Sequence, residues 1–315
     1  MTQPTNTFDT YDSKGNREAL SDIITNISPT DTPFFSMCAK GKATATYEEW
    51  TTDALAAAAA NAVIEGDEAT LDASVASVRV GNYTQISDKT VVVTGTQEVI
   101  NKAGRKSEKS YQIAKKGKEL KRDMEVDLTG NVAQVAGNAT TARKSGGLGS
   151  WIATNDVLGS AGSPASPTGD GTDARTDGTQ RVLVESLVKS VMQSCWTEGG
   201  EPTCLMVGPH NKTVISGFTG NSTRFDAAED KKLIAAIDVY ESDFGSLEVI
   251  PNRFSRDRDA WVLDKSMWEV KTLRPFQTHE LSKTGDSEKL QLLVEYTLCS
   301  KQEKASGLVA DLTVS

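Results

Sequence analysis

The sequence predicts an α+β protein braced by one helix longer than a globular domain usually needs. Three observations carry this reading. From Ser107 to Val135 the positions Ile113, Gly117, Leu120, Met124, Leu128 and Val132 mark one face, while the other faces are dense in Lys, Arg, Glu and Asp. The second half of the chain alternates short apolar runs with turn residues, as strands do. The first third has too little bulky apolar surface to hold its shape in isolation.

Composition bounds what such a chain does. Its 315 residues are 37% hydrophobic, enough for a sizeable core and too apolar for disorder. A formal net charge of −9 argues against a protein whose main task is gripping phosphates. Met1 to Tyr11 has no apolar h-region, and the longest nonpolar stretch, Ala54 to Ala62, is far short of a bilayer span, so no membrane partner is expected. Cys38, Cys195, Cys204 and Cys299 lack C-x-x-C spacing and read as small hydrophobes in a reducing cytoplasm.

Taken in order, the first sixteen residues offer little beyond Phe8 and Tyr11 to bury, and are either disordered or laid along a partner. Leu20, Ile23, Ile24 and Ile27 recur at helical spacing with Asn16 as N-cap; Ser28-Pro29 ends this helix and Pro33 stiffens its exit. From Lys42 to Val93 two strand-like arms flank a flexible middle. Thr44 to Thr52 alternates around Tyr47 and Trp50, Val75 to Ile86 through Val78 and Val80, and between them lie the alanine run and Glu65-Gly66-Asp67-Glu68. So long a hairpin with so few bulky residues has little to pack on in its own chain. It reads equally as a floppy insertion and as an arm that docks on a neighbour.

Thr94-Gly95-Thr96-Gln97 offers a capping-box start to the long helix. Roughly 25 to 30 residues would extend about 40 Å at ~1.5 Å per residue. Lys115 with Glu119, and Lys121 with Glu125, stand at i,i+4 and are expected to pair on its exposed side. Gly137 to Thr179 breaks regular structure, and Gly159 to Gly178 reads as a long surface loop. Val184, Leu187, Val188, Val191 and Cys195 form a helix stopped by Gly199-Gly200. Cys204 to Val207 is a buried strand and His210 to Phe218 a short helix. Further strands are expected at Ile234 to Tyr240, Leu247 to Ile250, Trp261 to Leu263, Trp268 to Leu273, Leu290 to Leu298 and Leu308 to Leu312.

Motifs that carry chemistry are missing. His210 follows Gly208-Pro209 at a turn, His279 sits in Phe276-Gln277-Thr278-His279-Glu280, and neither belongs to an H-E-x-x-H pair. There is no G-x-S-x-G elbow and no phosphate-binding P-loop, and Gly147-Leu148-Gly149 lacks the strand-then-helix frame of a dinucleotide loop. Asp243-Phe244-Gly245 spells the magnesium triplet of protein kinases without the rest of that constellation. It is expected to be a turn between strands, with Gly245 in the unusual backbone conformation. Asp170, Asp173 and Asp177 lack EF-hand spacing and read as solvated loop residues. No catalytic, cofactor-binding or metal-binding residue is assigned, and no cofactor is expected.

The residues do resemble a known family. Ile27-Ser28-Pro29-Thr30-Asp31-Thr32-Pro33-Phe34, Gly81-Asn82-Tyr83-Thr84-Gln85-Ile86 and the run from Lys115 to Glu125 come first; Tyr240 to Gly245, Pro251-Asn252-Arg253-Phe254, Leu273 to Thr278 and Val309-Ala310-Asp311-Leu312 follow. In this order along one chain they resemble the major head proteins of the SU-ten-like group of tailed phages. The resemblance implies the Hong Kong 97-type capsid fold: residues 1–40 an N-terminal arm, 41–93 an extended β-hairpin loop, 94–181 a peripheral domain with a spine helix and the Gly/Ser-rich loop, 182–258 an axial domain, and 259–315 strands returning to the peripheral domain.

The same resemblance implies a structural subunit, not an enzyme, that self-assembles into pentamers and hexamers of an icosahedral or prolate phage head around double-stranded DNA. Its partners would be itself, a separate scaffolding protein, a portal protein, decoration proteins and non-specifically contacted DNA, in a virion assembled in the host cytoplasm. No large N-terminal cleavage and no covalent crosslinking are expected. Inter-subunit contacts are expected at Tyr47, Glu49 and Trp50 at the loop root and at Glu65 and Asp67 near its tip. That acidic tip would seek a basic partner among Lys115, Lys116, Lys118 and Arg122. Two other readings stand beside this one. A hydrolase or transferase with an atypical Asp/Glu site predicts convergent carboxylates of raised pKa in a concave pocket. A monomeric head-decoration or adhesin module predicts the hairpin packed on its own domain.

Overall fold

The computed structural model describes residues 28–68, 73–100, 106–218 and 238–314. The chain enters through α1 (Pro33–Met37) and β1 (Ala39–Lys42), forms a hairpin of β2 (Tyr47–Thr52) and β3 (Val78–Tyr83), and runs through β4 (Gln85–Thr94) and α2 (Gly95–Val99) into α3 (Glu108–Thr129). After α4 (Leu148–Trp151) and β5 (Asp156–Val157) come α5 (Glu185–Thr197), β6 (Cys204–Val207) and α6 (Pro209–Ser216). β7 (Val239–Ser242), β8 (Gly245–Pro251), β9 (Ala260–Leu263), β10 (Trp268–Leu281), β11 (Ser287–Ser300) and β12 (Gly307–Val309) follow. The helical signal at Leu20 to Ile27 and the first part of the strand expected at Ile234 to Tyr240 lie outside the described residues.

One four-stranded sheet has the order β1-β10-β11-β4, and one six-stranded sheet the order β5-β12-β9-β6-β8-β7. α3 lies on the first sheet with Leu120, Met124 and Leu128 each 1% exposed. Gly117 faces Leu292 of this sheet, where a Cβ would make an ordinary contact at 3.7 Å. α5 and α6 cover one face of the second sheet, where Val188, Val191, Met192, Cys195 and Ile215 meet Leu205, Val207, Val249 and Val262. The opposite face sends Cys204, Met206, Trp261 and Leu263 into the same core as α3 and the first sheet, so the two halves share one interior. Among the described residues no helix is long and apolar enough to cross a membrane.

Several local expectations shift. Thr94 caps α2, its hydroxyl accepting from Gln97 N–H at 3.4 Å, while α3 has its own cap in Ser107, which accepts from Ser110 N–H at 3.2 Å. α3 ends at Thr129 and not at Val135, because the next turn must pass Gly147: a Cβ on Gly147 would stand 2.4 Å from the Gly130 carbonyl. β10 and β11 run beyond Leu273 and Leu298 as 14-residue strands, since ladder pairing continues where the side chains turn polar. Asp243-Phe244-Gly245 is the β7–β8 turn, with Gly245 at φ +132°.

The Gly/Ser-rich loop lies at the surface as expected, with Asp177 exposed, but it is tied down by hydrogen bonds. Asp311, 1% exposed, accepts from the N–H groups of Gly159 (3.0 Å) and Gly178 (2.8 Å) and pairs with Arg258 at 2.6 Å. Asp177 receives Arg256 at 2.7 Å, and Asp170 and Asp173 accept from Thr168 at 2.9 and 2.7 Å. Beneath them lies Asp259, 1% exposed, which Arg256 approaches at 3.3 Å without hydrogen-bond geometry.

Burial pushes the Asp259 carboxyl up to about 6, against the opposing pull of Arg256 and Arg175. A folded-state value above the unfolded one means the folded chain binds the extra proton. This contribution therefore stabilises below the ordinary carboxylate range and is lost as pH rises through about 6. Denaturation midpoints are expected to fall from pH 4 to pH 6 with a component of up to about 1.4 kcal/mol per pH unit that Asp259→Asn removes. An unchanged slope in the variant would discard this assignment.

Candidate functional site

The β2–β3 hairpin has a clamped root and a bare tip. At the root, Asn82 is fully buried: its Nδ2 donates to the Leu298 (2.8 Å) and Gly146 (3.2 Å) carbonyls, and its Oδ1 accepts from Gly146 N–H at 2.8 Å. Thr84, where β3 passes into β4, donates to Glu295 at 2.8 Å, and Arg274 donates to the same carboxylate at 2.7 Å. Arg143 bridges that carboxylate and the Thr84 carbonyl. Burial pushes the Glu295 carboxyl up, but Arg274, Thr84 and Arg143 together hold it below its ordinary value. These contacts fix the direction in which the hairpin leaves the sheet.

The root candidates are engaged within the chain. Trp50 packs on Trp151 with ring centroids 5.4 Å apart and, with Val80, lies against the main core. Tyr47 stacks on Tyr83 at 4.5 Å, and Glu49 pairs across the hairpin with Arg79. The expectation that the hairpin has little to pack on in its own chain therefore fails at the root. It holds at the tip, where Leu55 is 99%, Val63 and Ile64 79% and Val75 85% exposed. Glu65 and Asp67 are exposed there, and the stretch from Asp53 to Ser77 contains Asp53, Glu65, Asp67, Glu68 and Asp72 with no Lys or Arg.

The basic candidates divide by helical position. Lys115, Lys118 and Arg122 line a groove of about 330 Å³ on the outer side of α3, together with Tyr111, Ser28 and Thr30. Lys115 and Lys118 are exposed and have no ion-pair partner among the described residues, while the Arg122 guanidinium lies 5.9 Å over the Phe254 ring. Lys116 sits apart on the β4 side and pairs with Glu119 at 2.7 Å, so Glu119 is held by Lys116 and not by Lys115.

Glu125 is the functional residue that sequence reasoning missed. It does not pair with Lys121. It is fully buried and accepts from Phe34 N–H (2.7 Å), Phe35 N–H (2.8 Å) and Asn252 Nδ2 (2.7 Å). Burial raises its carboxyl, only partly offset by these donors. One carboxylate thus joins α1, the long helix α3 and the loop after β8. Its position on the flank of the apolar stripe, one residue past Met124, was the available signal.

The other carboxyl raised by burial on α3, Asp127, is occupied by Gln85 Nε2 at 2.6 Å and the Tyr296 hydroxyl at 3.2 Å. Among the described residues no group of three His, Cys, Asp or Glu is arranged to hold a metal ion. The four cysteines are free and buried, and burial pushes the thiols of Cys38, Cys195 and Cys204 up to about 12.

Solved structures similar to this chain come from phages, capsid subunits among them. The cyanophage A-1(L) capsid asymmetric unit is similar with a TM-score of 0.69 at 13% identity, covering 97% of this chain and 98% of that one. Gordonia phage Cozz gives 0.62 at 10% identity over 99% and 98%. Phage G gp27 major capsid proteins, solved with gp26 decoration proteins, give 0.55 at 10% identity over 99% and 100%. The clamped hairpin, the long brace helix and the second sheet are thus those of the tailed-phage, Hong Kong 97-type capsid fold. The family model of the SU10 major capsid protein matches residues 3–313, and the chain belongs to that family. The major capsid protein of Escherichia phage Phieco32 is 29% identical over 98% of this chain and 97% of that protein.

Proposed function

We propose that this shell subunit assembles by placing the acidic hairpin tip of one copy on the basic outer groove of α3 in the next. The observation that carries the reading is the pairing of opposite charges: exposed Glu65 and Asp67 within a stretch, Asp53 to Ser77, that holds five acids and no base, and the groove lined by Lys115, Lys118 and Arg122. The groove also holds Glu119, but Lys116 pairs with that carboxylate at 2.7 Å, so the three basic side chains set its sign; each contact is exposed and weak on its own. Repetition around a closed ring makes many weak contacts durable while single errors still dissociate. On this reading residues 1–40 act as the arm, 41–93 as the extended loop, 94–181 as the peripheral domain, 182–258 as the axial domain, and 259–315 as returning strands. Tyr47, Glu49 and Trp50 serve by stiffening the root and not as outward anchors, which their partners within the chain support.

The subunit works without catalysis, in pentamers and hexamers around DNA, assembled in the host cytoplasm with a separate scaffold and a portal. Decoration proteins of the kind solved with the Phage G subunit would bind the finished shell. The double reversal Glu65→Lys with Asp67→Lys is expected to reduce shell yield by about tenfold or more while leaving the denaturation midpoint of the unassembled chain unchanged. Sedimentation of the assembly mixture reads this directly, and an unaltered yield would show that the tip does not seek the groove.

A further inference from the structure

We propose that the limb Ala60–Ile64 of the hairpin adds as a strand to the open edge of β10, Gln277–Leu281, in a second copy. This rests on the reading that copies meet through the hairpin. It adds how they meet: by backbone ladder, and not by side-chain charge alone.

The acceptor is a strand edge without a neighbour among the described residues. β11 flanks β10 through its length, but β1 flanks it only from Glu269 to Thr272. Beyond that, no described strand covers the outer side. Edges left open in water are usually blunted by proline, bulges or lysine. Here Pro275 and the register shifts around Arg274 do so for the first part only. Gln277 to Leu281 then pair in unbroken register with Leu293 to Lys289, with neither proline nor lysine among them. Phe276 and Leu281, at the two ends of this stretch, are each 39% exposed.

The donor is a chain segment without a ladder. The hairpin pairing stops at Thr52 opposite Val78, and Ala60 to Ile64 belong to no strand. Their described backbone bonding is a single turn, in which Asp67 N–H donates to the Ile64 carbonyl at 3.1 Å. Val63 and Ile64 are β-branched and exposed, suited to a pleated neighbour.

Among the described residues donor and acceptor do not pair within one chain. The hairpin leaves the first sheet beside Tyr296 and Leu298, at the end where β10 begins, whereas Gln277–Leu281 lies at the far end beside Lys289 and Thr94. A contact between unlike patches at opposite ends is head-to-tail, the kind that propagates around a ring. The charges set the direction. Antiparallel addition places Ile64 opposite Gln277 and carries Glu65 and Asp67 past Phe276, where Lys121 lies 5.9 Å over the ring and Lys118 is one helical turn away.

The test pairs Ala62→Cys in one set of chains with His279→Cys in another, the two sets differing in mass and coassembled before mild oxidation. Disulfide-linked dimers containing one chain of each set are expected in the shells; the native thiols are buried and do not compete. Shells that form normally but crosslink only when Ala62→Cys is paired with Lys118→Cys would overturn strand addition while leaving the hairpin-to-helix reading intact. Shells without crosslinks in either pairing would overturn both. Because the variants themselves could block assembly, hydrogen exchange on wild-type chains supplies the second readout. Amides within Gln277–Leu281 are expected to slow by about tenfold or more on assembly, and unchanged exchange there would sink the proposal.

Discussion

Replacing Glu125 by alanine is expected to destabilise the unassembled subunit by about 3 kcal/mol. The change leaves the buried Phe34 amide and the part-buried Phe35 amide without their acceptor, and the Asn252 amide with only the Met206 sulfur at 3.3 Å. It also frees the short helix that seats Phe34, which is fully buried and meets Trp268 edge-on at 6.3 Å. Glu125→Gln keeps the shape but turns an NH2 group toward one of the three donors, so a smaller loss of about 1 to 2 kcal/mol is expected. Urea denaturation of the three proteins gives the ordering. Proteolysis at the arm should accelerate in step with the loss of stability. If alanine and glutamine prove equally harmless, the carboxylate does not hold the arm.

Trp151→Ala should cost about 3 to 5 kcal/mol by cavity formation, with a consequence that a generic core deletion would lack. Trp151 is 1% exposed and is the platform on which Trp50 rests, so its removal undercuts the hairpin root as well as the core. It also props the Gly/Ser-rich loop: Gly171 passes its ring so closely, at φ +79°, that a Cβ would come within 2.8 Å. Hydrogen exchange should therefore rise in β2, β3 and the Gly159 to Gly178 loop together. A comparable deletion in the second core cluster, Val191→Ala, should leave the hairpin unaffected. Loss of stability without coupled exchange in the hairpin would mean that the root is held by Asn82 and Glu295 alone.

How much of this was legible beforehand differs by element. The stripe Leu120, Met124 and Leu128 is buried as its spacing requires, and Cys204 to Val207 is buried at every position. The Gly245 turn and the stop after α5 at Gly199, φ +89°, also follow from residue type, because a positive φ favours glycine whatever surrounds it. The acidic tip and the basic run on α3 were plain as charges. That Lys116 faces β4 while Lys115, Lys118 and Arg122 share a groove could be learned only from where the sheet lies.

Periodicity and charge are local properties, readable within a turn of helix or a few residues of strand. They were enough to establish the α+β class, the brace helix, the compact second half and the missing catalytic constellations. The clamps were not readable in this way, since their halves are far apart in the chain: Glu125 and Phe34 by 91 residues, Asn82 and Leu298 by 216. A carboxylate beside an apolar stripe looks the same whether water or a helix amide waits opposite it. Only the packed fold brings the second partner, and with it the difference between a solvated charge and a buried latch.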